Sequence, residues 1–178
     1  MAERTAANAR PGGVGRALHR IATGVALLGG LVLFALTLLT VISVVGRAVF
    51  SAPIPGDFEL VELGMAVAIF AFLPYCQMVR GNVIVDLFTS KASPRTKALL
   101  DGIGNLLYTA IAALLTWRVA LGGLEIRSYR ETTMVLQVPV WWGYVPAVAF
   151  LAFLTIVCAY TVWRSALEYR WHPVEAPR

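Results

Sequence analysis

Four long apolar stretches run through the chain, separated by short segments in which charge, glycine and proline collect. Ile21 to Gly46 carries no charged residue over 26 positions. Leu63 to Val79 adds 17 more, and Leu60 and Val61 extend it past Glu62. Gly102 to Trp117 gives 16, lengthened by Val119 to Leu124 when Arg118 stretches its charge towards the headgroups. Thr132 to Trp163 is charge-free for 32 residues, and Pro139, Trp141, Trp142 and Pro146 in its first part push the crossing segment towards Trp142 to Trp163. A membrane-crossing helix takes about 20 mostly apolar residues. The pattern therefore predicts an all-α membrane protein with four transmembrane helices, at about 21–46, 60–79, 101–124 and 142–163.

The connecting segments complete the expected architecture. Residues 1–15 lack apolar periodicity and read as a tail, residues 16–171 as the transmembrane domain, and residues 172–178 as a second tail. Ala22, Ala26 and Gly30 recur every fourth residue, a small-residue stripe that lets a second helix come close. Ser51 to Gly56 is turn-rich, and Asp57, Glu59 and Glu62 then load the start of the second helix with charge that complements its dipole. Pro74 falls inside the second span and removes a backbone donor there. Asn82 to Phe88 is too short and, at Asp86, too charged to span, so a short interfacial helix on the cytoplasmic side is expected. Ser93-Pro94 provides a cap and a first-turn proline for the third helix. Trp141, Trp142 and Tyr144 form an aromatic belt at one boundary, and Trp163, Tyr169 and Trp171 mark the other.

Charge decides the orientation. Eleven of the 15 Lys and Arg residues fall before span one, between spans two and three, or after span four, and four, namely Arg47, Arg118, Arg127 and Arg130, fall on the opposite side. Basic residues are retained in the cytoplasm, so the N-terminus and the C-terminus are both expected there. The net charge of +5 then reflects anionic lipid headgroups rather than nucleic acid, and no nucleic-acid partner is expected. The first apolar run is longer than a signal-peptide core, so an uncleaved span is expected. A mean hydropathy of +0.72 with 58% hydrophobic residues excludes an ordinary soluble domain.

Composition also constrains the chemistry. An intramembrane ionisable group is costly and usually functional, yet the four apolar cores contain none. His19 and His172 lie outside the spans, which disfavours a buried haem pair. There is no glycine-rich phosphate loop and no Cys/His cluster with metal spacing. Cys76 and Cys158 read as small apolar residues. No catalytic, cofactor or metal residue is assigned. Two other classes fit the size of the chain: a self-contained four-helix exporter of the small multidrug type, which would need an intramembrane carboxylate, and a membrane anchor of a respiratory enzyme.

One ordered set of residues is more specific. Glu62-Leu63 opening span two, Pro74 within it, Gly81-Asn82-Val83-Ile84-Val85-Asp86-Leu87 after it, and Leu136-Gln137-Val138-Pro139-Val140-Trp141-Trp142 before span four resemble the small membrane subunit of tripartite ATP-independent periplasmic (TRAP) transporters. The resemblance covers about Arg16 to Arg170 and departs at Asn82, where many relatives carry His, and near Thr133, where Ser is frequent. It implies three parts: a periplasmic solute-binding protein, a large transmembrane subunit that moves substrate with sodium ions, and a small subunit acting as a scaffold or stator in the bacterial inner membrane. On that basis Pro74, Arg80, Asn82 and Asp86 are candidates for contact with the large subunit. Asp86 capping a local helix or meeting Arg80 is the equal alternative. Glu59, Glu62, Arg127, Arg130 and Glu131 are candidates for docking the binding protein, with ordinary solvated loop charge as the alternative.

Overall fold

A computed structural model describes residues 13–79 and 94–171, with side chains placed for 13–79 and 102–163. The described residues form four helices: α1 (Gly13–Phe50), α2 (Asp57–Met78), α3 (Pro94–Tyr129) and α4 (Trp141–Trp171). All four are long and apolar enough to cross a membrane, and the only pairing of extended backbone among the described residues is the isolated bridge Thr132–Pro139. The interfacial helix expected at 82–88 lies outside the described residues, as do the bulk of the first tail and all of the second. Both α1 and α3 are longer than their apolar cores. At 1.5 Å per residue their 38 and 36 residues reach roughly 55 Å, against about 30 Å of hydrocarbon.

The helices pack in the order α1, α2, α4, α3. α4 lies between α2 and α3, and α1 touches mainly α2. Burial follows this order: in the most apolar window of α4, 33% of residues are buried, against 6% in α1 and in α3. A cluster of buried apolar residues forms around α4, where Leu151, Leu154 and Cys158 meet Ala112 of α3, with Phe70 and Leu73 of α2 packed against it. Pro74 is fully buried in this chain, and α2 continues through it to Met78.

Lipid is as apolar as a leucine side chain, so helices in a bilayer are held by close packing and hydrogen bonds rather than by exclusion of water. Close packing between α1 and α2 centres on Gly29. A Cβ built there would sit 2.9 Å from the Cβ of Ala71 and 3.3 Å from the carbonyl oxygen of Ala68. The small-residue stripe read from the sequence thus holds at Ala22 and shifts by one position, from Gly30 to Gly29, at its far end. Ala22 is buried, but a Cβ added at Gly30 would meet nothing within 4 Å, and this glycine borders an open groove instead. Between α3 and α4, a Cβ at Gly123 would come 3.0 Å from that of Tyr144.

Hydroxyl and amide groups supply the second kind of tie. Gln77 of α2 donates Nε2–H to Thr161 Oγ1 of α4 at 3.2 Å, and that hydroxyl donates to the Cys158 carbonyl at 2.8 Å. The hydroxyls of Thr116 in α3 and Thr155 in α4 meet at 3.1 Å, each also placed to donate to the carbonyl four residues back. Interhelical bonds of this kind contribute on average about 0.6 kcal/mol in a bilayer.

The contrast between neighbouring glycines is testable. Gly29→Ala should weaken docking of α1 on α2 by about 1–3 kcal/mol, the usual overpacking range, while Gly30→Ala should cause no loss. Reversible unfolding in bicelles measures both, and equal effects would refute the register of the α1–α2 contact.

Candidate interaction surfaces

The α1–α2 and α3–α4 connections lie at the same end of the bundle, called the loop end below. The second connection folds back on itself. Thr133 N–H donates to the Val138 carbonyl at 2.9 Å, Val138 N–H to Thr133 Oγ1 at 3.1 Å, and Val140 N–H to the Glu131 carbonyl at 3.1 Å. Gln137 takes a left-handed φ of 56° to make the turn, and its side-chain amide donates to the Met134 carbonyl at 3.2 Å.

Glu59, in the first turn of α2, fastens this loop. Its Oε1 accepts the Val135 N–H at 2.7 Å and its Oε2 the Leu136 N–H at 2.9 Å. One carboxylate thereby satisfies two consecutive amides, a charge-assisted arrangement stronger than neutral hydrogen bonds. The Leu136 side chain lies over Gly56, whose φ of +76° and lack of a Cβ are both required, because a Cβ there would overlap Leu136.

The first connection is pinned by Asp57. Ser43 of α1, fully buried, donates its hydroxyl to Asp57 Oδ2 at 2.5 Å and accepts the Ile54 N–H at 3.3 Å. Arg47 Nη2 stands 3.8 Å from the same carboxylate oxygen. Because Arg47 is about half exposed, that ion pair is a weak partner, and the hydroxyl bond carries the contact.

The charged residues named from the sequence therefore divide between those held by neighbouring groups and those left exposed. Glu59 is turned into the α3–α4 connection. Arg127 lies over the Trp141 ring, 5.1 Å from its centroid. Glu62, Arg130 and Glu131 are exposed. Trp141 meets Trp142 edge-on at 6.4 Å, and Trp142 is exposed. Tyr144 packs on Gly123, and Trp163 lies at 6.1 Å from Tyr160. Trp171 ends α4. Arg80, Asn82 and Asp86 lie outside the described residues. The sequence reading missed Ser43, Gln77 and Thr161. The available signal was the isolation of each as a polar residue within an apolar run.

Away from the loop end, α1 and α2 diverge around an open groove of about 580 Å³ bordered by Thr23, Ala26 and Gly30 on one side and Phe72 and Tyr75 on the other. Its lining is almost wholly apolar, and His19 meets Tyr75 edge-on at 6.0 Å. Among the described residues no group of three His, Cys, Asp or Glu residues is placed to hold a metal ion.

Removing the Glu59 carboxylate should free the loop while leaving the bundle intact. In Glu59→Ala, amide hydrogen exchange at Val135 and Leu136 is expected to quicken by an order of magnitude or more, with exchange in α4 unchanged. Unaltered exchange at both amides would show that the carboxylate does not hold the loop.

The family model described as "Tripartite ATP-independent periplasmic transporters, DctQ component" matches residues 36–168, from within α1 into α4 and across every connection between the helices. No curated protein and no solved structure matches the chain. A match over most of the chain, on four helices of membrane-spanning length, establishes that this chain belongs to the DctQ family, the small membrane component of TRAP transporters.

Proposed function

We propose that this chain is the non-catalytic stator of its transporter, a fixed support against which a large transmembrane subunit moves substrate. The observation that carries this reading is the exposure of both outer helices. α1 presents Leu27, Leu31, Phe34, Leu38 and Ile42, and α3 presents Leu106, Leu107, Leu114 and Leu121, all at least 42% exposed within the chain. Such faces suit lipid on one side and a larger membrane neighbour on the other. The apolar cores of the spans have no Asp, Glu, His, Lys or Arg with which to bind a solute or relay protons, which favours a holding role over transport.

In this reading both termini are cytoplasmic in a bacterial inner membrane, supported by the eleven-to-four distribution of basic residues. The loop end then faces the periplasm, where a solute-binding protein delivers small organic acids for sodium-coupled uptake. Glu62, Arg130 and Glu131 are the exposed candidates for meeting that protein. Glu59 and Arg127 contribute through the loop and the tryptophan they hold. Arg80, Asn82 and Asp86 are the candidates for contact with the large subunit on the cytoplasmic side, while buried Pro74 acts by shaping α2.

Affinity purification of the tagged chain from its native membrane tests the assignment. A larger multi-span protein is expected to co-purify in stoichiometric amount, and Asp86→Ala should lower its recovery several-fold. Liposomes containing this chain alone should show no uptake of organic acids. Solute transport by the isolated chain would end the stator reading.

A further inference from the structure

The loop between α3 and α4 combines three properties that an aqueous loop does not require together. First, Thr132 to Val140 contains no charged residue, although Arg127, Arg130 and Glu131 immediately precede it. Second, its tip is apolar and outward, with Met134 92% and Val135 59% exposed. Third, its backbone is satisfied from within the protein. The amides of Thr133, Val135, Leu136, Val138 and Val140 all donate to protein acceptors, two of them to Glu59. Water would satisfy those amides without help. Towards the acyl chains water thins out, and irregular backbone that reaches that depth needs its partners supplied by the protein.

The surroundings continue the lipid-facing surface. Phe58 in the first turn of α2, and Trp142 and Val145 in the first turns of α4, are 75%, 58% and 58% exposed. An aromatic and apolar ring at helix ends is the usual composition of the headgroup–acyl boundary. A soluble partner fits less well, because the exposed methionine would return to water each time that partner left, and no charged group on the segment would steer its approach.

We infer that segment 132–138 is a lipid-seated anchor: Met134 and Val135 insert into the headgroup–acyl boundary of the leaflet at the loop end, with the Glu59 carboxylate holding the backbone in the form that can enter it. The occupant is phospholipid. The anchor fixes how deep the loop end sits, and with it the level at which α2 and α4 emerge. It rests on membrane embedding of the chain and not on which part of a transporter the chain plays.

Photo-crosslinking from the loop tests this. Benzoylphenylalanine replaces Met134, or in a second variant Val135, with Glu131 as the control position. Each full-length chain is placed in nanodiscs of phosphatidylethanolamine and phosphatidylglycerol, both alone and with its transporter partners. After illumination, intact-mass spectrometry should find phospholipid adducts at 134 and 135 several-fold above those at 131, unchanged when the soluble partner is added. Combining the probe at 134 with Glu59→Ala should reduce the adduct several-fold. Adducts to a partner protein in place of lipid, or lipid adducts no more abundant than at 131, would overturn the anchor.

Discussion

Hydrocarbon accepts and donates no hydrogen bonds, so each polar group at membrane depth must find its partner inside the protein. The helices answer this along their own backbones. The side chains of Gln77, Thr161, Thr116 and Thr155 answer it by pairing across helix interfaces. Ser43 and Asp57 close the first connection in the same way, and Glu59 with Thr133 closes the second. The same requirement that confines polar groups to a few interfaces also turns these groups into ties between neighbouring helices.

With no hydrophobic force between helices, the remaining attraction is contact, and contact needs small residues. Gly29 against Ala68 and Ala71 brings α1 to α2, and Gly123 against Tyr144 brings α3 to α4. These contacts produce a bundle in which α4 has neighbours on two sides while α1 and α3 keep most of their surface uncovered. Such an arrangement offers a broad apolar flank, a useful form for a subunit whose family works within a larger transporter. It would be a poor form for a solute pathway, which needs a polar lining enclosed by helices.

The two connections do different work at the loop end. The first is tied to its own helix pair through Ser43 and Asp57. The second crosses between pairs, since Glu59 belongs to α2 while the amides it accepts lie between α3 and α4. With Leu136 seated over Gly56, this links the ends of all four helices through a few residues. Charge here serves shape: Glu59 and Arg127, which from the sequence look like free surface charges, are committed to backbone amides and to a tryptophan face.

The four spans and their order were legible because hydropathy acts on each segment separately: an uncharged run of about 20 residues enters lipid whatever its neighbours do. The family was legible too, through residues whose order along the chain survives without knowledge of contacts. Which helices would touch was not, because any uniformly apolar helix has no distinctive face and periodicity cannot orient it. Ala22, Ala26 and Gly30 looked like the interface of α1, yet it is Gly29 and not Gly30 that packs on Ala68 and Ala71, a shift that depends on how α2 is rotated. Likewise the sequence determined that Glu59 stands at the mouth of a span, but only the tertiary structure brought it to amides more than 70 residues away. A carboxylate's partner is chosen by proximity in space, and for helices joined by loops that proximity is created only when the bundle assembles.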